Sequence, residues 1–418
     1  VNYPDSPALI KSVESKTSSF SAAKPEETGV ELTLGEALAL AFKNDAGLKA
    51  AVLDVRSAKA RSLQAGIYPN PEIAIEVENL AGSGPLNGIE GSEATIQLSQ
   101  PILLGGKRKK RVENAAVSGE LAAWSVESKR LDLYASVHNA FNRLLIAQED
   151  IALKNELVRL SQQFLETISE RVQAGKISTA EAARAKVLLA QNEIALERAR
   201  RSLASARRSL AATWGSRSDT FTKIVGEYDP IFTLPPEDSL LLLLAQNPDV
   251  AKFQAVEKQR DMVVALEDAK AIPDPTVTAG LRRLNESGDL AFVVGLSLDL
   301  PFSNRNQGNR EAARHELIKS FEEKKSVQIA LSADLSEAYN LFQAIRSEAI
   351  MLKNSIIPQA ESAYQEINKG YLQGRFDFLD VLDAQRTLFE SKDRYLHALR
   401  EYHETVVRIE RLIAQKIH

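Results

Sequence analysis

From about residue 114 to 174 apolar residues recur at spacings of three and four. They are Val117, Leu121, Trp124, Leu131, Val137, Phe141 and Leu144, then Ile151, Leu157, Leu160, Phe164, Ile168 and Val172. The rhythm returns in Leu335, Tyr339, Phe342, Leu352, Ile356, Ala360, Tyr364, Ile367 and Tyr371. Spacing of this kind, sustained over about sixty residues, predicts a coiled-coil helix rather than an ordinary globular one. At 1.5 Å per residue such a helix is about 90 Å long. Pro358 falls inside the second pattern and predicts a local kink. Between Pro71 and Pro101 the period drops to two. Ile73, Ile75 and Val77 alternate with Glu72, Ala74, Glu76 and Glu78; after a Gly/Ser/Asn/Pro loop, Ala94, Ile96 and Leu98 alternate with Glu93, Thr95, Gln97 and Ser99. A second pair of runs follows the same rule. Val277, Ala279 and Leu281 alternate with Thr276, Thr278, Gly280 and Arg282, and Leu290 to Leu300 alternates with Ala291, Gly295, Ser297 and Asp299. Each run has the length of a tilted membrane-spanning β-strand, roughly 9–11 residues.

These elements come twice, in the same order. Leu34–Leu48 has a counterpart in Pro236–Val250, Pro69-Asn70-Pro71 in Pro273-Asp274-Pro275, Gln100-Pro101-Ile102 in Leu300-Pro301-Phe302, and Gly175 in Gly374. All the offsets lie between 199 and 204 residues. The chain therefore reads as an extended tail (1–33), a first repeat (34–216) of helix, hairpin 72–101, long helix and helix, a linker (217–236), and a second repeat (237–418) with its hairpin at 275–301. Gly175 and Gly374 end the long helices, and a second helix returns from each.

Composition narrows the function classes. The 418 residues hold no cysteine, which removes disulfide scaffolds, thiolate catalysis and cysteine-bound zinc. A net charge of −4 lacks the basic excess of a nucleic-acid binder. Apolar runs such as Leu240–Ala245 fall far short of the ~20 residues a spanning helix needs. Strands are the alternative, and in hydrocarbon they survive only as closed barrels. Four strands cannot close. Two chains would give eight, with the interior filled by side chains; three would give twelve, wide enough for a lumen. Apolar residues would then face lipid, and Glu72, Glu76, Glu78, Gln97 and Asp299 the wet interior. A soluble coiled-coil scaffold with ordinary surface hairpins is the competing reading.

Pro69-Asn70-Pro71, Pro273-Asp274-Pro275, Pro358 and the stretch Tyr371–Leu388 (YLQGRFDFLDVLDAQRTL) carry a resemblance to the TolC-type outer-membrane efflux channels, over essentially all of 33–418. Glu76–Leu80, Ser99-Gln100-Pro101 and Gly105–Arg108 are similar to the cobalt–zinc–cadmium branch of that family. The resemblance implies a mainly α fold with a transmembrane β part: an α-helical barrel of tandem repeats that adds four strands per chain to a 12-stranded barrel in a homotrimer. It implies a passive conduit, not an enzyme, seated in the outer membrane with a helical tube in the periplasm. Its partners would be a periplasmic adaptor (membrane fusion protein), an inner-membrane RND-type pump and outer-membrane lipid. The cargo would be heavy-metal cations, with multidrug efflux or type I secretion as the alternative. The lipidated first cysteine of many relatives has no counterpart in these residues.

Few single residues carry chemistry. The five histidines have no companions that complete a zinc site, and no cofactor is expected. Lys107–Arg111 is read as a cationic belt where barrel meets tube. Asp377, Asp380 and Asp383 share one face just past Gly374, where acidic side chains also suit a helix start. By resemblance Asp380 and Asp383 ring the periplasmic aperture, and Tyr371 and Arg375 are expected to latch it. Gly175 and Gly374 mark the tips that meet adaptor and pump.

Overall fold

The computed structural model describes residues 31–218, 221–226 and 231–417. The tail expected at 1–33 falls outside them up to residue 30. In chain order the elements are β1 (Glu31–Thr33), α1 (Leu34–Asn44), α2 (Ala46–Ala65), β2 (Glu72–Glu78), β3 (Glu93–Pro101), α3 (Lys107–Gln173), α4 (Thr179–Ala212) and β4 (Lys223–Val225). There follow α5 (Glu237–Leu243), α6 (Pro248–Lys270), β5 (Thr276–Leu284), β6 (Leu290–Ser297), α7 (Gln307–Met351), α8 (Ile357–Leu372) and α9 (Phe378–Ile413). The order helix, hairpin, long helix, helix is the same in both copies. Residues 31–33, expected in the tail, form a strand instead: β1 pairs in parallel with β4, inside the segment expected to be a linker.

Contacts divide the chain into two compact units, and each draws on both repeats. One comprises Val52–Ser125 and Ala251–Val327. At its centre is a four-stranded antiparallel sheet in the order β2-β3-β5-β6. The two hairpins are thus joined through β3 and β5, from Glu93↔Leu284 to Pro101↔Thr276. Beyond the strands, Asn285 ties the hairpin loops together, its side-chain amide donating to Ser92 Oγ at 2.7 Å. At the other end Asp274 accepts from the Leu104 N–H at 2.8 Å and pairs with Lys107 at 2.7 Å.

The other unit gathers the described residues of 31–51, 126–250 and 328–417. Its core is built from the 3/4-spaced positions: Leu131, Val137, Phe141 and Leu144 of α3 are buried, and Leu335, Phe342, Ile345, Tyr402, Val406 and Ile409 form one cluster between α7 and α9. The kink expected at Pro358 takes the form of a π-turn, Leu352–Ile356, separating α7 from α8. A proline ring collides with the carbonyl four residues back. Here that residue is Asn354, inside the π-turn, and the wider turn moves its carbonyl away. The α3 helix begins at Lys107, before the apolar rhythm starts.

Candidate functional site

The sheet has two unlike faces. Directly opposed residues of an antiparallel pair share a face, so the register places Ile75, Ile96, Leu281 and Phe292 in one row and Ile73, Leu98, Ala279 and Val294 in the next. The other face carries Glu72, Glu76 and Glu78 of β2, Glu93, Thr95, Gln97 and Ser99 of β3, and Thr278, Gly280 and Arg282 of β5. Exposure runs against the usual rule. Phe292 is 87% exposed, Val294 79% and Ile75 72%, whereas Thr95 on the polar side is 2% exposed. Along β5 and β6 the polar-side residues are half-buried while the apolar ones stand free. Among the described residues β2 and β6 each have one unpaired edge.

A charge cluster orders the polar face. Arg282 donates to Glu93 at 2.8 Å and to Thr95 Oγ1 at 3.0 Å, and pairs with Glu78 at 3.0 Å. Gln97 donates to Glu76 at 3.4 Å. Four of the five residues expected in the wet interior (Glu72, Glu76, Glu78 and Gln97) therefore share this face. Asp299 does not. It lies past the end of β6, because Thr276↔Ser297 is the last pair and the next residue of β5's side is Pro275, which has no N–H to extend the ladder. Arg282 is the residue that alternation alone does not single out; its role emerges once β3 is paired with β5.

The two helix tips share one backbone design. Gly175 and Gly374 take φ of +70° and +78°, the left-handed region that a side chain disfavours. Lys176 N–H donates to the Arg171 carbonyl at 2.9 Å, and Arg375 N–H to the Gly370 carbonyl at 2.8 Å, closing each helix end in the same way. The return helices are capped differently. Ser178 Oγ accepts from Ala180 N–H at 3.1 Å, while the Asp377 N–H donates to Asp380 Oδ2 at 2.8 Å in a capping box.

Of the four residues expected at an aperture, Arg375, Asp380 and Asp383 are exposed, and Asp383 pairs with Arg386 at 2.5 Å. Tyr371 is turned inward and is 3% exposed. Its ring packs 5.8 Å from that of Phe164, the Arg171 guanidinium lies 4.6 Å over it, and Arg171 also donates to the Tyr371 carbonyl at 3.1 Å. Burial pushes the Tyr371 hydroxyl above its ordinary pKa. The ring joins the aromatic cluster of Phe164, Ile168, Phe378 and Val381, and the hydroxyl has no hydrogen-bond partner among the described residues. Lys107–Arg111 likewise turns mostly to local work. Lys107 binds Asp274, Arg108 lies 4.4 Å over the Tyr68 ring, Lys110 donates to the Ala265 carbonyl, and Lys109 alone of the five is exposed.

Among the described residues no three His, Asp or Glu side chains converge as a metal-holding group, and no helix is long and apolar enough to cross a membrane. What stands out is a sheet with its apolar side bare, joined in sequence to very long helices. The chain matches the family described as outer membrane efflux protein over residues 37–216 and 240–415. It belongs to that family. It is 34% identical over 391 residues to the cobalt-zinc-cadmium resistance protein CzcC of Cupriavidus metallidurans, covering 94% of this chain and 92% of that protein. It is 27% identical over 267 residues to the nickel-cobalt-cadmium resistance protein NccC of Alcaligenes xylosoxydans xylosoxydans, covering 62% and 59%. Among solved structures, CusC superposes with a TM-score of 0.77 at 17% identity over 96% of each chain. The Vibrio cholerae outer membrane protein VceC does so at 0.74 and 18%, over 92% of this chain and 97% of that one. The fold of this family member is that of the outer-membrane channels.

Proposed function

We propose that this protein is the outer-membrane conduit of a tripartite efflux assembly and passes divalent metal cations outward without chemistry of its own. The inverted exposure of the sheet carries the reading. About 25 cal/mol per Å2 of apolar surface opposes leaving Phe292, Val294 and Ile75 in water, and lipid removes that cost. The unpaired edges of β2 and β6 call for further strands, since a bare edge in hydrocarbon leaves its N–H and C=O groups unsatisfied. Three copies supply twelve strands and a lumen lined by Glu72, Glu76, Glu78 and Gln97; two supply eight and a filled interior. The tips at Gly175 and Gly374 meet a periplasmic adaptor and pump, and three copies of Arg375, Asp380 and Asp383 converge on the aperture. The metal cargo is supported by the metals to which the relatives' names assign resistance, cobalt, zinc, cadmium and nickel.

Cells deleted for the gene and supplied with it on a plasmid test the cargo. Restored tolerance to zinc, cobalt or cadmium, with drug tolerance unchanged, is the expected result; drug sensitivity alone would sink the metal reading. Native mass measurement in detergent tests assembly, where a monomer or a stable dimer excludes the twelve-stranded barrel.

A further inference from the structure

On the polar face of the sheet carboxylates outnumber cations. The strands carry Glu72, Glu76, Glu78 and Glu93 there, against Arg282 alone. Arg283, the next residue, belongs to the apolar face, in the row of Val77, Ala94 and Leu290. Register spaces the carboxylates unequally. Glu72 lies opposite Ser99 and Glu76 opposite Thr95, but Glu78 lies directly opposite Glu93, at the end of the ladder nearest the hairpin loops. Opposed residues hold their Cβ atoms about 4.5–5.5 Å apart, and like charges so placed destabilise a sheet.

Arg282 resolves this pair and is fully engaged in doing so. Its Nη1 donates to Glu93 Oε2 at 2.8 Å, Nη2 lies 3.0 Å from Glu78 Oε2, and Nε donates to Thr95 Oγ1 at 3.0 Å. Each guanidinium nitrogen has its own acceptor, and one cation bridges both carboxylates. The backbone of Arg282 is held in the ladder opposite Thr95 and Ala291, so a strand, not a loop, delivers the fork. The Arg282 side chain is 33% exposed and that of Glu78 50%. Solvent and its ions therefore reach the cluster.

Two opposed carboxylates with a hydroxyl beside them are oxygen donors of the kind divalent cations take. Here a guanidinium already stands between them. We propose that Arg282 is a fixed counter-cation that keeps the Glu78–Glu93 pair closed to divalent metals, making it a specificity-determining residue of this face. Glu72 and Glu76, each opposite a neutral residue, attract a cation without chelating it. The one directly opposed pair is occupied in advance by the chain's own charge. Conduction needs sites that admit an ion and release it, and an open Glu78–Glu93 chelate would hold the cargo. The role in passage rests on the conduit reading; the effect on metal affinity does not, since it is measured without transport.

Titration calorimetry of the full chain in detergent, with Zn2+ and with Cd2+, tests the assignment. Arg282→Gln should bind one additional metal ion per chain, tenfold or more tighter than the wild type, in which the metal must displace two charge-assisted bonds. Arg283→Gln removes the same charge from the opposite face and should match the wild type. Adding Glu78→Gln to Arg282→Gln should abolish the gain. A purely structural role for Arg282 predicts a weakened sheet with no gain in metal affinity, and that result overturns the assignment. Where Arg282→Gln does not fold, Arg282→Lys decides: lysine keeps the charge but has no planar fork to span both carboxylates, so metal affinity should rise several-fold, and wild-type affinity overturns the assignment. In planar bilayers Zn2+ should block Arg282→Gln at concentrations that leave wild-type current unchanged; equal block of both overturns the role in passage. A wild-type protein that forms no conducting pore counts against the conduit reading alone, because the titrations stand without it.

Discussion

Gly280 sits on β5 opposite Gln97 of β3, at the seam that joins the two hairpins. A Cβ built there would lie 2.5 Å from the Ile96 carbonyl oxygen, 2.8 Å from Gln97 Cβ and 2.9 Å from Gln97 Cα. Non-bonded heavy atoms settle at about 3.5–4.0 Å, so the new methyl is about 1 Å too close. The obstructing atoms are main chain or fixed directly to it, and no rotamer change clears them. Overpacking of this kind costs about 1–3 kcal/mol and sometimes more, and Gly280→Ala should fall at the upper end, about 3 kcal/mol. Gly295 provides the control. It lies on the same face of the neighbouring strand, but its added Cβ would meet only Thr278 Cβ at 3.6 Å, an ordinary contact. Gly295→Ala should be neutral or stabilising by about 0.5–1 kcal/mol, because alanine has less backbone freedom to lose. Urea titration of the purified protein in detergent, read by protease resistance of the sheet, measures the difference. With a slope of roughly 1–3 kcal/mol per molar urea, the two midpoints should differ by about 1 M or more. Coincident midpoints would refute the close-approach argument and mean that the β3–β5 seam yields easily.

Two further perturbations probe other parts of the chain. Burial in the helical unit, with Lys416 and His403 nearby, pushes His138 down from 6.5 to about 3, so its neutral form is favoured in the fold. That stability is whole above pH 6.5 and is lost as pH falls towards 3; at pH 5 the loss is about 2 kcal/mol. Glu410, raised by burial, works in the opposite sense, so the comparison is His138→Gln against the wild type, which should flatten the decline in denaturation midpoint between pH 7 and 5. In the sheet, Ile75→Arg on the bare apolar face should cost about 2–4 kcal/mol if it lies at mid-membrane, whereas the adjacent Glu76→Arg should assemble normally and change ion selectivity in planar bilayers. Equal damage from both would contradict the face assignment.

The strands were legible because a period of two has one meaning once a polar face exists. The alternation over 72–101 gives β2 and β3, with both outer ends falling on Glu72 and Pro101. It fails at β6, where Leu298, Asp299 and Leu300 keep the rhythm but the ladder stops at Ser297; periodicity cannot see that the partner position is Pro275. Helix starts fail for the converse reason. Lys107–Arg111 is polar all round, so the first turns of α3 leave no apolar trace. Site residues divide by range. The turns at Gly175 and Gly374 and the acidic cap at Asp377–Asp380 are local and were readable. The inward turn of Tyr371 onto Phe164, and the grip of Arg282 on Glu78, Glu93 and Thr95, join residues far apart in the chain and depend on packing that a single sequence does not disclose.

The same comparison of near and far contacts explains why two copies of one unit behave differently. At the position of Arg159, in mid-α3, the second copy has Pro358, preceded by a π-turn, so the first long helix is one α-helix and the second is interrupted. At the position of Lys186, which faces solvent, the second copy has Gln385, buried and 3.5 Å from Ser161 Oγ. Ser161 donates to the Leu157 carbonyl at 2.8 Å and accepts from Asn192 at 2.6 Å, so α3, α4 and α9 meet on one oxygen. Its donor and both acceptor sites are filled, which makes the layer specific for a single axial register; a one-turn slip would strand three buried polar groups, each costing about 1–3 kcal/mol. Near the tip Arg171 adds a second tie to the Tyr371 carbonyl. The first copy's long helix runs as one α-helix and the second copy's passes through a π-turn, and the two copies are tied at two polar points. The second of those fastenings is made through a main-chain carbonyl, so it fixes where the Tyr371 turn sits whatever side chain that position carries.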